Sequence, residues 1–187
     1  MLKRIEACYG VPREVLIAIF RVETNLGSDT GRYRVFNSLI TRTLLVNRRS
    51  VWAAQELIDL LVLCKNNRIN PFSIKGSAAG AFGLCQFVPS SYRTYGTDGN
   101  GDNVVDLFDF SDAMASTANY LRSHGWHSRD AERQSRAIWA YNHCESYVKA
   151  VLSYSKQVKL GHPPKSNTIR THAKHPKGIR AKGLSRT

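Results

Sequence analysis

Apolar residues recur along most of the chain at the three- and four-residue spacing that is typical of amphipathic helices. The pattern predicts six helices, over residues 15–26, 35–46, 51–64, 111–124, 131–141 and 146–158. Pro12 suits the first turn of the first helix, and Ser111 and Gly125 suit the start and end of the fourth. No run of alternating polar and apolar residues indicates a sheet, so we expect a mainly α fold.

The third predicted helix has a strong apolar pattern, with Leu57, Ile58, Leu61 and Val62 on one side. Between it and the fourth helix, residues 76–91 form a segment rich in glycine and alanine that ends in a proline turn. Such small residues allow the backbone to approach another backbone or a ligand closely.

Glu23 stands out because it lies within the apolar face of the first predicted helix. At 100° per residue, it falls between Ile19 and Leu16. Burial disfavours the charged carboxylate, so the pKa of Glu23 should rise. A carboxyl group that stays protonated near neutral pH can act as a general acid. The alternative is a structural Glu paired with an internal Arg.

An acidic, glycine-punctuated loop covers residues 98–109. Its potential ligands have the spacing of positions 1, 3, 5, 7, 9 and 12 of an EF-hand: Asp98, Asn100, Asp102, Val104 (through its carbonyl), Asp106 and Asp109. Asn103 replaces the usual Gly at position 6, and Asp109 is shorter than the usual Glu. The loop predicts a structural calcium site, with a solvated acidic turn as the alternative.

Most of the net positive charge lies at the C-terminal end. The net charge is +13, yet residues 156–187 hold nine Lys and Arg and no acid, which leaves eighteen basic against fourteen acidic residues elsewhere. We therefore predict a folded domain over residues 1–160 and a disordered basic tail over 161–187 that could bind a polyanionic cell-wall surface. Nucleic-acid binding is not expected, because the folded part offers no basic aromatic platform.

The cysteines and the apolar runs exclude several classes of protein. Cys8, Cys64, Cys85 and Cys144 form no C-x-x-C pair, which argues against a zinc or thioredoxin-type site. They are expected to be buried small side chains, with one disulfide as the alternative. No apolar run reaches the length of a membrane helix, and the chain as given shows no export signal.

Four segments, in one order, resemble the membrane-bound lytic murein transglycosylase B family. They are YGVPREVLIAIFRVETNLG (9–27), KGSAAGAFGLCQFVPSSYRTYG (75–96), DGNGDNVVDLFDFSDAMASTANYLRSHGW (98–126) and AIWAYNHCESYVKAVL (137–152). The resemblance implies a lysozyme-like helical domain with a sugar-binding cleft, a calcium loop at 98–109 and no organic cofactor.

The same resemblance assigns roles to individual residues. Glu23 matches the catalytic acid/base. Seven further positions match residues that line the cleft or surround that Glu: Ser77, Gln86, Phe87, Tyr120, Tyr141, Asn142 and Tyr147. Aromatic rings suit the flat faces of sugars, and neutral amides suit their hydroxyl groups.

The activity implied by the resemblance is cleavage of peptidoglycan glycan strands in the periplasm or cell envelope. Glu23 would protonate the bond between N-acetylmuramic acid and N-acetylglucosamine, and the muramoyl C6 hydroxyl would then close a 1,6-anhydro ring. A hydrolytic muramidase on the same fold and a non-catalytic wall-binding module are the alternatives. The carboxyl group of Glu23 argues against a simple binder, since burying it is costly.

Overall fold

A computed structural model describes residues 1–45 and 48–161, and these form a mainly helical domain. The helices are α1 (Leu2–Tyr9), α2 (Arg13–Thr24), α3 (Val35–Leu44), α4 (Ser50–Asn66), α5 (Pro89–Tyr95), α6 (Phe110–Ser123), α7 (Ala131–Tyr141) and α8 (Glu145–Lys159). Two short strands, β1 (Tyr33–Arg34) and β2 (Lys75–Gly76), pair antiparallel.

The six helices predicted from apolar spacing are present as α2, α3, α4, α6, α7 and α8, with ends within two residues of the prediction. The helices α1 and α5 and the two-stranded ribbon were not predicted, because each is too short to show a periodic pattern. The start of α6 was also assigned wrongly. Asp109, not Ser111, caps this helix, and its carboxylate accepts hydrogen bonds from the backbone N–H groups of Ser111 and Asp112.

The helix α2 lies at the centre of the domain and packs extensively along α8. Its Leu16, Ile19 and Phe20 have no exposed surface. Burial of three such side chains contributes about 5–9 kcal/mol before the entropy of folding is counted. The helix α1 packs on α2 and α6, and α7 packs on α8 and α6. The helices α3, α4 and α5 form a second group, in which α3 packs on α4 and α4 on α5, and α5 joins this group to α6.

The apolar side of α4 does not face the core, which corrects the simplest interpretation of its sequence. Ile58, Leu61 and Val62 are 53%, 43% and 46% exposed. The buried side instead includes the acids Glu56 and Asp59. They turn inward because α5 supplies their partners: Ser90 donates to Glu56 through its N–H and its hydroxyl, and Arg93 forms an ion pair with Asp59 at 2.8 Å.

The ribbon requires glycine where its strands approach other backbone. A Cβ atom at Gly31 would lie 2.2 Å from the carbonyl carbon of Gly76, and one at Gly76 would lie 2.1 Å from the carbonyl oxygen of Ala81. Gly31 also has a φ of +96°, in the left-handed region. The close approach predicted for the small-residue segment is therefore observed, and it brings residues 76–87 against α2 and α3.

The four cysteines are free thiols, so the alternative of a disulfide is wrong. Cys64 and Cys85 are buried as expected, whereas Cys8 is exposed and Cys144 is partly exposed. Within the described residues, no helix is long and apolar enough to span a membrane. The predicted basic tail, except for Gly161, lies outside the described residues.

Asp112 anchors the acidic loop to α6. Its side chain is 1% exposed, and its two carboxylate oxygens accept hydrogen bonds from the N–H groups of Gly99 and Asp106, each at 2.8 Å. One residue thus holds both halves of the loop against the helix.

We predict that Asp112→Ala lowers the free energy of unfolding by about 2–4 kcal/mol, because two backbone N–H groups lose their partner in a buried setting. Urea denaturation followed by circular dichroism measures the effect. The control is Glu132→Ala, which removes an acid from the first turn of α7 whose side chain is 79% exposed. Equal losses in the two variants would show that Asp112 contributes only through the helix dipole.

Candidate active site

One cleft of about 250 Å³ brings together seven of the eight site residues predicted from the sequence. These are Glu23, Ser77, Gln86, Phe87, Tyr120, Tyr141 and Asn142. They come from α2, the 76–88 segment, α6 and the end of α7. The eighth, Tyr147, lies on α8 behind Glu23.

Glu23 lies in the last turn of α2, where the chain fixes its position closely. The next residue, Thr24, is buried, and its hydroxyl contacts the carbonyl oxygen of Leu84 at 3.1 Å. Asn25 and Leu26 then take left-handed backbone conformations that end the helix. This hydrogen bond joins α2 to the 76–88 segment. It therefore holds the Glu23 carboxyl group next to the part of the cleft that this segment forms.

Burial raises the pKa of Glu23 from 4.5 to about 7, and the polar hydroxyl of Tyr147 opposes part of that rise. Tyr147 is itself 3% exposed, and burial followed by the charge of Glu23 raises its pKa well above the usual value. Its hydroxyl therefore remains a donor at neutral pH. A carboxyl group with a pKa near 7 can both donate and accept a proton in that range.

Aromatic rings form one wall of the cleft. The ring centroid of Tyr120 lies 4.9 Å from that of Tyr141 and 5.7 Å from that of Phe87. The hydroxyls of both tyrosines donate to backbone carbonyl oxygens: Tyr141 to Cys85 at 2.6 Å and Tyr120 to Ala140 at 2.8 Å. His124 stacks on the far side of Tyr120 at 4.0 Å. The rings are thus held in place before any ligand binds.

Gln86 and Ser77 supply polar groups on the opposite side. The amide nitrogen of Gln86 donates to the carbonyl oxygens of Thr30 at 3.0 Å and Gly83 at 2.9 Å, which leaves its amide oxygen as an acceptor for a ligand. Gln86 also has a φ of +51°, an uncommon conformation that is often found at functional sites. The hydroxyl oxygen of Ser77 accepts from the N–H of Ala81 at 3.1 Å.

The cleft also contains residues that the sequence did not single out. Trp52, on α4, is 37% exposed and lines the cleft together with Arg42 and Arg49. Trp52 carried no recognisable signal, because a single aromatic residue on an amphipathic helix is usually a core residue. Among the described residues that line the cleft, Glu23 is the only carboxylate.

The acidic loop has part of the geometry of a calcium loop. The carboxylate of Asp98 accepts from the N–H groups of Gly101 and Asn103, and Asn103 has the left-handed backbone (φ +67°) that glycine usually provides. Asp109 differs, because it caps α6. No group of three acidic, His or Cys residues in the described part of the chain is placed to hold a metal ion.

The fold and the cleft together define a lysozyme-like helical domain in which, among the described residues, Glu23 is the one acid that lines the cleft. A family model described as "Transglycosylase SLT domain" matches residues 1–134. The chain therefore belongs to the transglycosylase SLT domain family. The match includes Glu23 and the cleft residues up to Tyr120, while Tyr141, Asn142 and Tyr147 lie beyond it.

A curated relative and several solved structures agree with this family. The chain is 40% identical over 125 residues to the membrane-bound lytic murein transglycosylase B of Escherichia coli, a match that covers 67% of this chain. It spans about a third (35%) of the length of that relative.

Among solved structures, the E. coli lytic transglycosylase SLT35 in complex with calcium matches with a TM-score of 0.82 and 28% identity, over 86% of this chain and 70% of that chain. The soluble lytic transglycosylase SltB1 of Pseudomonas aeruginosa matches with a TM-score of 0.80 and 28% identity, over 86% and 74% of the two chains. Both matches cover a larger share of the chain than the family model does, so both extend beyond residue 134.

The raised pKa of Glu23 predicts a specific pH dependence of stability. The folded state binds this proton more tightly than the unfolded state, so its contribution to stability is complete below pH 4.5 and is lost as the pH rises through 7. Glu23→Gln removes this dependence. Between pH 5 and 8, the unfolding free energy of the variant should therefore rise by about 2–3 kcal/mol relative to wild type.

Chemical denaturation at pH 5, 6, 7 and 8 measures this difference. Tyr147→Phe is the matched comparison, because loss of the hydroxyl that lowers the Glu23 pKa should move the transition to higher pH. If the free energies of unfolding of Glu23→Gln and wild type differ by the same amount at every pH, the carboxyl group of Glu23 is not buried in solution.

Proposed function

We propose that this domain is a lytic transglycosylase that cleaves the β-1,4 bond between N-acetylmuramic acid and N-acetylglucosamine in peptidoglycan. The observation that carries the proposal is Glu23, which among the described residues is the only carboxylate lining the cleft and whose pKa burial raises to about 7. Most glycosidases need two carboxylates across the scissile bond. With one, the same group must act first as the acid and then as the base.

In the first step, protonated Glu23 donates its proton to the glycosidic oxygen, and the bond from that oxygen to the muramoyl C1 breaks. The positive charge that develops at C1 is stabilised by the acetamido group of the substrate. No second protein carboxylate is needed for this step. Because burial keeps Glu23 protonated near neutral pH, the acid is available under ordinary conditions.

In the second step, Glu23 is a carboxylate and accepts the proton of the muramoyl C6 hydroxyl. That oxygen bonds to C1 and closes a 1,6-anhydro ring, so no water is consumed and the proton is restored to Glu23. The Tyr147 hydroxyl lowers the pKa of Glu23, so it favours the carboxylate between the two steps. Tyr147 is thus a positioning residue on the inner side of the acid.

The remaining cleft residues suit a sugar ligand. Trp52 offers a partly exposed ring, and the fixed rings of Tyr120 and Tyr141 form the opposite boundary. The amide of Asn142 and the free amide oxygen of Gln86 can pair with hydroxyl and acetamido groups. Since these groups are neutral, they bind the glycan without competing with Glu23 for its proton.

The related proteins support this substrate class. The names of the E. coli and P. aeruginosa relatives describe lytic transglycosylases, and one structure of P. aeruginosa SltB3, 35% identical over 69% of this chain with a TM-score of 0.65, is in complex with NAG-NAM-pentapeptide. Peptidoglycan as the substrate places the enzyme in the cell envelope. We assign the basic tail at 161–187 no role in the chemistry, because every cleft residue precedes it.

We predict that Glu23→Gln keeps its fold and loses at least about a thousandfold in activity on purified peptidoglycan, since it removes the only acid and base. Turbidity clearing measures the rate, and mass spectrometry of the wild-type products identifies the chemistry. Anhydro ends support transglycosylation. Reducing ends, which are heavier by one water, would instead identify a hydrolytic muramidase, and a Gln variant as active as wild type would exclude Glu23.

We also propose that the 98–109 loop holds a structural calcium ion. Oxygen donors at Asp98, Asn100, Asp102 and Val104 form the ligand-rich half of the loop, and the left-handed Asn103 gives it the required turn. Bound calcium would supply positive charge that neutralises the acids of the loop. The calcium complex of the related SLT35 supports the assignment.

We predict that millimolar calcium raises the melting temperature and that Asp98→Ala abolishes the rise, because a ligand that binds only the folded state stabilises it. Differential scanning fluorimetry with calcium, magnesium or chelator measures the shift. Asp130→Ala, at the cap of α7, is the control and should keep the calcium response. Wild-type protein without a calcium shift would leave the loop as an acidic turn that Asp112 alone supports.

A further inference from the structure

The outward side of α4 carries a stripe of apolar side chains that face solvent. Val51 is 82% exposed, and Ile58, Leu61 and Val62 are each about half exposed. At 100° per residue, these four side chains lie within one arc of about 100° along the helix. Lys65 falls on the same arc and is also exposed. We call these five residues the α4 stripe.

The opposite side of α4 fixes the orientation of the helix, so the stripe is held at the surface. The carboxylate of Glu56 accepts hydrogen bonds from the N–H and the hydroxyl of Ser90 at 2.9 and 2.7 Å. Asp59 forms its ion pair with Arg93 at 2.8 Å. Rotation of α4 to bury the stripe would break these contacts and leave two acids without partners.

The part of the chain around the stripe presents positive charge and almost no negative charge. Residues 30–97, which form α3, α4, α5 and the ribbon, contain nine Lys and Arg and two acids. The two acids are Glu56 and Asp59, which are 2% and 3% exposed, whereas none of the nine basic residues is buried. Residues 1–29 and 98–161 instead contain eleven basic and twelve acidic residues. We call residues 30–97 the basic lobe.

A partner for this surface must match both the apolar stripe and the positive charge around it. At the surface of an anionic bilayer, apolar side chains enter the boundary between headgroups and acyl chains, and Lys and Arg extend to the lipid phosphates. A second copy of the chain would bring two basic lobes together, which like-charge repulsion opposes. A soluble anionic polymer would match the charge but would leave the stripe in water.

We propose that the α4 stripe docks on the surface of an anionic phospholipid bilayer, with Lys65 and Arg68 on the lipid phosphates. Arg68 follows α4 directly and is exposed. Arg49 and Trp52 line the cleft at the start of the same helix, so the docked enzyme holds its cleft close to the bilayer. This interaction is separate from the cleavage reaction and does not depend on it.

Vesicle flotation with the full-length chain tests the stripe. We expect vesicles that contain phosphatidylglycerol to bind wild type at least about tenfold more tightly than vesicles of phosphatidylcholine alone. Ile58→Ser/Val62→Ser should weaken binding to the anionic vesicles at least about tenfold, because less apolar surface leaves water. Both side chains are half exposed, so the variant should keep the fold, which circular dichroism checks.

The matched control is Trp139→Ser/Leu160→Ser, which removes two exposed apolar side chains that lie outside the basic lobe. It should keep the wild-type affinity for anionic vesicles. Every variant retains residues 161–187, so any attraction of the basic tail to the vesicles is the same in all of them. Equal losses in the two double variants, or no loss in Ile58→Ser/Val62→Ser, would overturn the proposal.

A second pair of variants tests the charged part of the surface. Lys65→Gln/Arg68→Gln should weaken binding to anionic vesicles at least about fivefold at low salt and much less at high salt. Arg129→Gln/Lys149→Gln removes the same charge from exposed positions outside the basic lobe and should have a smaller effect. Equal effects of the two pairs would mean that only the net charge of the chain matters, which contradicts docking through α4.

A fluorescent reporter locates the contact. In Ile58→Trp, the added indole should shift its emission to shorter wavelength on anionic vesicles and be quenched by brominated acyl chains, because it enters the apolar boundary. Lys149→Trp, on α8, is the control and should add neither signal. Equal quenching in the two variants would place the contact elsewhere and refute the proposed orientation.

Two outcomes would identify another occupant and overturn the proposal. One is a dimer of wild type, seen by sedimentation equilibrium without lipid, that Ile58→Ser/Val62→Ser dissociates. The other is a soluble poly(glycerol phosphate) whose binding Ile58→Ser/Val62→Ser weakens as much as it weakens vesicle binding. A monomer whose polymer binding is unchanged by this variant supports the bilayer.

Discussion

The site depends on one packing interaction, the close contact of α2 with α8 around the Glu23 carboxyl group. The apolar residues of α2 would bury a similar area against many partners, but α8 also brings Tyr147 to Glu23. Desolvation raises the pKa, and the tyrosine limits the rise, so the acid remains able to exchange its proton near neutral pH. The core and the chemistry are thus properties of the same interface.

In the rest of the cleft, hydrogen bonds to backbone carbonyl oxygens hold the side chains in place. The hydroxyl of Tyr141 is bonded to the carbonyl oxygen of Cys85, and the amide of Gln86 is bonded to Thr30 and Gly83. These bonds are formed without ligand, which lowers the entropy lost on binding. They also connect α7, the 76–88 segment and the loop after α2, so these three parts of the cleft are held as one unit.

Charge is distributed unevenly across this surface. Among the described residues, the cleft is lined by Glu23, by neutral side chains and by Arg42 and Arg49, whereas a larger groove beside it is lined by five arginines and no acid. A cation close to Glu23 would favour its charged form and lower its pKa, but the causes that shift this pKa are burial and the Tyr147 hydroxyl. The arginines around the cleft therefore leave the raised pKa of Glu23 in place.

The sequence by itself determined the six longer helices, and it placed Glu23 within an apolar arc, because helical periodicity is a local property. It indicated the cleft residues only through the resemblance of four segments to a known family, because the neighbours of each residue in the cleft are distant in the chain. Only the tertiary structure decided which side of α4 is buried. Glu56 and Asp59 turn inward because α5 provides Ser90 and Arg93, and nothing local to α4 encodes those partners. The positions of Trp52 and the groove arginines were decided in the same way, because α3, α4 and the ribbon meet only after folding.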